Sequence, residues 1–177
     1  MDNIKELKKL LSDKTASIFS RLVAIKKLYP EEYSKFDLDV NINSCNEDGD
    51  TALMRASANG HIEIVKLLIE AGANVNVRDK IGYTALMEAS KYGHTEIVKL
   101  LIEAGADVTV NAKDKNGETA LIKASANGHT EVMKLLIEAG ADINAENKKG
   151  WTAITKADFN GHTKAVELLV QYRAKED

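Results

Sequence analysis

Four histidines are the side chains of this sequence with the chemistry for metal binding or proton transfer. They are His61, His94, His129 and His162, and each directly follows a glycine. Successive histidines are separated by 33, 35 and 33 residues, so each holds the same position in a repeated unit. Stacked units place equivalent residues about 10 Å apart, whereas the ligands of one zinc ion each lie about 2 Å from the metal. We therefore predict structural histidines that satisfy backbone groups in a loop.

The other reactive side chains also have a structural interpretation. Glu63, Glu96 and Glu131 each come two residues after a histidine, where a helix dipole favours negative charge in the first turn. Segment 46–50, NEDGD, is acidic but lacks the later bidentate glutamate of a calcium loop. Cys45 has no recognisable base beside it. We predict no catalytic residue, no metal site and no cofactor, so an enzyme is left only as an alternative with a site of unrecognised surface residues.

Composition and charge exclude several classes of protein. The 177 residues carry 24 Lys+Arg against 27 Asp+Glu, a net charge of −3, with the basic residues interleaved among acidic ones. This balance favours neither nucleic acid nor a membrane surface as a partner. The charged opening MDNIKELKKLL does not suit a signal peptide, and one cysteine cannot form an internal disulfide. We expect a monomeric, cytoplasmic protein, with a secreted effector lacking a Sec signal as the alternative location.

Internal repetition organises the chain. The segment HIEIVKLLIEAGANV that begins at His61 recurs almost unchanged at His94, and with more substitutions at His129 and His162. A threonine after a glycine-containing turn suits the N-cap of a short first helix, and a glycine ends that helix before the histidine. The segment after the histidine has the apolar face of a second helix. Because one unit buries little apolar surface alone, the units must stack against each other.

The period divides the chain into five segments. Residues 1–45 lack the threonine and Gly-His markers but carry two helical apolar stripes, so we interpret them as an N-terminal helical cap or degenerate repeat. Three repeats are predicted at 46–78, 79–113 and 114–146, followed by a C-terminal capping repeat at 147–177. The second repeat contains a two-residue insertion, Thr109-Val110. We predict that it lies in a loop, where it either reaches a partner or is a neutral length variant.

Residues 46–177 resemble the ankyrin-repeat family. The unit GDTALMRASANGHIEIVKLLIEAGANVN carries Gly-x-Thr-x-Leu, Gly-His-x-Glu and Leu-Leu-x-x-x-Gly-Ala, and these pieces recur at fixed offsets. The resemblance implies an all-α solenoid of stacked antiparallel helix pairs with hairpin-like connecting loops, acting as a protein-binding module. The sequence departs from the family where Pro-Leu-His usually follows the threonine, because the first unit has Ala52-Leu53-Met54 there. That departure removes a rigid helix start and some hydrogen bonding between repeats.

Positions that vary between the copies are our candidates for recognition. In ankyrin-like stacks the turn before the first helix and the end of that helix line the concave face. Here these positions hold two of the five tyrosines, the only tryptophan and one of three phenylalanines. We predict that a protein partner docks in this groove and at the loop tips on Lys80, Ile81, Tyr83, Lys91, Tyr92, Lys115, Asn116, Glu118, Lys148, Trp151 and Phe159.

Two alternatives to this site stay open. The aromatic residues of the groove can instead pack on neighbouring turns and on the edge of the last unit. The array can also serve as a structural or self-associating scaffold that uses its ends. The identity of the partner does not follow from the sequence.

Overall fold

The computed structural model describes residues 16–37 and 41–174, together with the single positions 9 and 13. The side chains of Phe19, Asp107 and Val108 are not described. This part of the chain contains ten α-helices, one 3-10 helix and no β-strand. The helices are α1 (Ile18–Leu28), α2 (Pro30–Tyr33), α3 (Ala52–Asn59), α4 (Ile62–Glu70), α5 (Ala85–Tyr92), α6 (Thr95–Glu103), α7 (Ala120–Ala126), α8 (Thr130–Glu138), α9 (Ala153–Phe159) and α10 (Thr163–Arg173), with the 3-10 helix Ala106–Thr109 between α6 and α7.

The helices stack in pairs, which confirms the predicted all-α solenoid. Each of the four repeats contributes a first helix (α3, α5, α7 or α9) and a second helix (α4, α6, α8 or α10), and the two pack on each other. First helices contact the first helices of the next repeat, and second helices contact second helices. The stack therefore has two sides, one formed by first helices and one by second helices.

Local sequence sets the start and end of each first helix. The hydroxyl oxygens of the predicted N-caps Thr51, Thr84, Thr119 and Thr152 each accept a hydrogen bond from the backbone N–H three residues later. Because this bond satisfies an otherwise unpaired donor of the first turn, it stabilises the helix start. The first helix of the second repeat ends at Gly93, whose φ of 75° is left-handed. A Cβ at that position would also lie 2.7 Å from the His129 ring, so any other residue would be strained in this conformation and would push the ring aside.

One apolar core runs through the stack. Leu53, Leu86 and Leu121 of the first helices are almost fully buried, and they belong to the same cluster as the buried leucines of the second helices. At the N-terminal end, α1 packs on α4. There the buried Arg21 donates a 3.0 Å hydrogen bond from its guanidinium to the Glu70 carboxylate. The repeats therefore bury each other's apolar faces.

The N-terminal segment is described only in part. Within the predicted cap 1–45, the structure describes α1 and α2, and α1 ends at Leu28, two residues before Pro30. The earlier stripe around Ile4 and Leu7 lies outside the described residues. The exact boundaries of the five predicted segments stay predictions.

The two-residue insertion folds inward. It lies in the connection between α6 and α7, where Thr109 ends the 3-10 helix. Its hydroxyl donates to the Asn76 side-chain oxygen at 3.0 Å and lies 3.1 Å from the Ala106 carbonyl oxygen. Val110 is only 4% exposed. These contacts favour the interpretation of the insertion as a length variant.

Candidate functional site

The turn before each first helix is held by one side chain. Asn46, Asp79, Asp114 and Asn147 occupy the same position in the four repeats, and the Oδ1 of each accepts hydrogen bonds from the backbone N–H groups two and four residues later. In the second repeat these bonds measure 2.9 Å to Ile81 and 2.7 Å to Tyr83. The turns are therefore rigid, and segment 46–50 is one of them.

The tips of these turns are joined into one edge. Backbone N–H groups of one tip donate to carbonyl oxygens of the preceding tip, at 3.1 Å from Lys80 to Asp48, 2.8 Å from Lys115 to Ile81 and 2.9 Å from Lys148 to Asn116. The residues that form these bonds are otherwise exposed: Asp48, Lys80, Ile81, Lys115, Asn116 and Lys148. We use the name groove face for the side of the stack formed by the first helices and by the turns 46–50, 79–83, 114–118 and 147–151.

A buried lysine lies at the centre of the groove face. Lys123 of α7 is 4% exposed. Its ammonium nitrogen lies 2.7 Å from the Asp114 carboxylate, 2.8 Å from the Tyr83 hydroxyl and 3.2 Å from the Glu118 carboxylate. The ammonium also lies 4.1 Å from the centroid of the Tyr83 ring. Lys123 therefore ties the turn of the second repeat to the first helix and turn of the third.

The cluster shifts the pKa values of Lys123, Asp114 and Glu118 in the directions that favour their charged forms. Burial disfavours the charge on Lys123, but the hydrogen bonds to Asp114 and Tyr83 outweigh it and raise the lysine's pKa above its usual value. Burial likewise opposes ionisation of Asp114, yet the bonds from Lys123 and from backbone N–H groups hold its pKa below the usual range. The pKa of Glu118 is lowered, against the effect of burial, by Lys156 and Lys123.

Contacts between side chains continue along the groove face in both directions from Lys123. Toward the second repeat, the Lys91 ammonium lies 6.0 Å from the Tyr83 ring and 4.8 Å from the Tyr92 ring. Toward the fourth repeat, Lys156 bonds Glu118 at 3.2 Å and lies 5.1 Å from the Trp151 ring. Trp151 contacts Phe159 edge to face, with ring centroids 4.9 Å apart. A continuous row therefore connects the predicted aromatic residues of the second and fourth repeats.

The predicted site residues differ in exposure. Ile81, Tyr92 and Phe159 are 48%, 50% and 75% exposed, which is high for large apolar side chains. Tyr83 and Trp151 are half-buried in the contacts of the row. The structure brings Tyr83, Lys91 and Tyr92 together, and it brings Glu118, Trp151 and Phe159 together through Lys156. The remaining predicted residues lie on the tips, where backbone hydrogen bonds connect each tip to the next: Lys80, Lys115, Asn116 and Lys148.

Sequence reasoning missed one set of groove residues. The position four residues after each N-cap threonine also lies on the groove face. It is occupied by Arg55, Glu88, Lys123 and Lys156 in the four repeats. Their types vary among the copies, which is the signal that identified the other candidates. Glu88 lines an open pocket between α3 and α5, and burial raises its pKa above the usual value.

Three histidines have the structural role that the sequence predicted. The Nε2 atoms of His94, His129 and His162 lie 3.0, 3.1 and 3.1 Å from carbonyl oxygens at the end of the preceding repeat's first helix, so each ring donates to a backbone acceptor of that helix. These bonds satisfy carbonyls that the helix leaves unpaired. No group of three potential metal ligands occurs among the residues that the structure describes.

His61 departs from that prediction. Its Nδ1 lies 3.2 Å from the Tyr33 hydroxyl and 3.6 Å from the Glu32 carboxylate, and its ring lies 4.8 Å from the Tyr29 ring. The reason is that the element before the first repeat is α2 with its flanking residues, which presents side chains to the ring. The identical Gly-His motif therefore meets a different neighbour at this end of the stack.

Comparison with known proteins agrees with this architecture. The family model described as ankyrin repeats (3 copies) matches residues 13–112 and 109–177. No curated protein matches the chain. In the part of the chain that is described, no helix has the length and apolar character to cross a membrane. The family match and the stacked helix pairs agree over most of the chain, and the protein therefore belongs to the ankyrin-repeat family.

Proposed function

We propose that this chain binds a partner protein through its groove face. Ankyrin repeats are generally protein–protein interaction modules, and the family is typically non-enzymatic. The observation that carries the proposal is the exposure of Ile81, Tyr92 and Phe159, all on one side of the stack. Large apolar side chains held half or more in water gain free energy when a partner covers them.

The rigidity of the groove face supports this role. Tyr83 is held by Lys123, and Trp151 is held between Lys156 and Phe159, so the row keeps its shape before a partner arrives. A surface that is already ordered loses little conformational entropy on docking. Each well-packed aromatic anchor at an interface contributes about 2 kcal/mol or more. In this proposal Ile81, Tyr92 and Phe159 are the anchors, while Tyr83 and Trp151 position them.

Charged residues on the tips form the rim of the proposed interface. Lys80, Lys115 and Lys148 with Asn116 lie along the tip edge, and Lys91 and Glu118 lie within the row. Rim charges affect the rate and selectivity of association more than its strength. We propose that the protein acts without catalysis, as a monomer in the cytoplasm.

Self-association is the second candidate. Among the described side chains, two large apolar ones outside the groove face are exposed, Ile18 on α1 at 37% and Val170 on α10 at 51%. They lie on the first and last described long helices, so copies of the chain that associate end to end would cover them.

A pull-down with two matched variants distinguishes the candidates. One variant carries Ile81→Ser, Tyr92→Ser and Phe159→Ser on the groove face, and the other carries Ile18→Ser and Val170→Ser. All five positions are exposed, so both variants keep the core intact. We expect the first variant to lose the partners that the wild-type chain captures and the second to keep them. Equal recovery by the groove variant would contradict the proposal, and loss only with the second variant would favour self-association.

A further inference from the structure

The groove face contains one pocket that joins the first and second repeats. It lies between α3 and α5 and has a volume of about 380 Å³. Met54, Ala58 and Tyr92 give it apolar walls, and Asp50, Arg55 and Glu88 give it charged groups. Tyr92 is one of the proposed anchors, so a partner that covers this tyrosine also reaches the pocket.

Glu88 differs from the other charged groups near the pocket because, among the described residues, no side chain forms a hydrogen bond or ion pair with it. Arg55 lies 4.0 Å from Asp50, and Lys91 lies over the Tyr92 ring. No hydrogen bond or ion pair reaches the Glu88 carboxylate from the residues that the structure describes. The groups that act on it electrostatically are Lys91 on its own helix, Lys123 on α7, and Asp50 and Asp79 in the turns before α3 and α5.

These charges are already committed to other contacts. Lys123 bonds Asp114, Glu118 and Tyr83, and Asp79 accepts from two backbone N–H groups of its turn. A partly buried carboxylate without a donor is unfavourable, because it has lost part of its hydration and gained no hydrogen bond in return. The pocket therefore presents, above an apolar wall, a carboxylate that receives no hydrogen bond from the described residues.

We propose that this pocket receives a lysine or arginine side chain from the partner protein, with the Glu88 carboxylate as its counter-ion. The inference rests on the proposed function, since it specifies what the partner places beside Tyr92. The methylene stem of such a side chain packs on Met54, Ala58 and Tyr92, while its charged end reaches Glu88. An acidic side chain is disfavoured at the same position because Glu88 repels it and the negative charge of Asp50 lies beside it, with Arg55 4.0 Å from Asp50 as the opposing charge.

Binding of a cation is coupled to the protonation of Glu88. Burial raises the pKa of this carboxyl in the free protein, above all by disfavouring the charged form. A bound ammonium or guanidinium favours the charged form and so lowers that pKa. Cation binding therefore weakens as the pH falls through the pKa of Glu88 in the free protein.

A fragment titration tests the pocket without any partner protein. The full ¹⁵N-labelled chain is titrated with N-acetyl-lysinamide, N-acetyl-argininamide and N-acetyl-norleucinamide, and the amide resonances of Ala58 and Tyr92 are followed. Norleucine has the same apolar stem as lysine but no charge. We expect one of the two cationic amides to bind about tenfold more tightly than norleucine amide, which corresponds to about 1.4 kcal/mol. We expect Glu88→Gln to remove this preference.

The matched control is Glu103→Gln on the second-helix side, where the carboxylate is exposed. It should leave the cation preference unchanged. Equal binding of norleucine amide, a preference that survives in Glu88→Gln, or resonance changes confined to other surfaces would each overturn the inference. The fragment result and the pull-down can fail separately, although both involve Tyr92, because the titration needs no partner protein and depends on Glu88, whereas the pull-down needs the partner and leaves Glu88 unchanged.

Discussion

Replacing Lys123 by methionine removes the charge at the centre of the groove face and keeps a side chain of similar length. In the structure, the lysine ammonium bonds Asp114 at 2.7 Å, Tyr83 at 2.8 Å and Glu118 at 3.2 Å. The side chains of Lys123 and Asp114 are only 4% and 1% exposed. The substitution therefore leaves a buried carboxylate without its main counter-ion.

The expected cost follows from this burial. Removing one partner of a buried ion pair typically costs about 3–5 kcal/mol. For a chain of this size each kcal/mol lowers Tm by about 2–4 °C, so we expect Tm to fall by roughly 10 °C. The double variant Lys123→Met/Asp114→Asn should be more stable than Lys123→Met alone. Its amide oxygen still accepts from the Asn116 and Glu118 backbone N–H groups, and no buried charge is left unpaired.

Equilibrium urea unfolding followed by far-UV circular dichroism measures the free-energy differences, and a thermal melt followed by the same signal measures Tm. Lys156→Met is the matched control, because it occupies the same repeat position but its side chain is 26% exposed. We expect the control to cost about 1 kcal/mol or less. A cost below about 1 kcal/mol for Lys123→Met, or a double variant no more stable than the single one, would refute the reasoning that the buried pair is fully coupled.

Three further predictions concern stability. Glu88→Gln should stabilise the chain near neutral pH. Folding raises the pKa of Glu88, so ionisation of this carboxyl opposes folding above that pKa. The gain in the free energy of unfolding should therefore disappear when urea unfolding is repeated at a pH below the unfolded-state pKa. Ser90→Ala should raise the free energy of unfolding by about 1 kcal/mol, because the buried Ser90 hydroxyl has no hydrogen-bond partner among the described residues; a loss of stability in the same assay would show that the hydroxyl is satisfied. Gly93→Ala should lower Tm in a thermal melt more than Gly72→Ala, because both glycines have positive φ but only Gly93 abuts a histidine ring; equal shifts would mean that the ring moves aside freely.

Much of the fold was predictable because each repeat contains the residues that begin and end its own helices. Thr84 caps the first helix of the second repeat by a bond to a residue three positions later, and Gly93 ends that helix in a left-handed conformation. Both signals are local, and the period repeats them along the chain. The stacking then follows from the need to bury the apolar faces that these short helices share.

The details of the groove face were less accessible, since they depend on contacts between repeats. The sequence of α7 alone gives no sign that Lys123 is buried. Its burial comes from Tyr83 of the preceding repeat and from Asp114 in the turn before α7. His61 has the same local sequence as the other histidines, and only its neighbours in the preceding element make it different. The position of Glu88 was signalled by variation between copies, but only the structure shows that no described residue forms a hydrogen bond with its carboxylate.

Site-specific photo-crosslinking tests the central proposal most directly. p-Benzoylphenylalanine replaces Tyr92 or Phe159 on the groove face in one pair of proteins, and Ile18 or Val170 in another pair. All four positions are at least partly exposed, so each probe reaches solvent. The account predicts that probes at Tyr92 and Phe159 form a covalent adduct with the captured partner protein, while probes at Ile18 and Val170 do not. Adducts formed only from Ile18 or Val170 would contradict it.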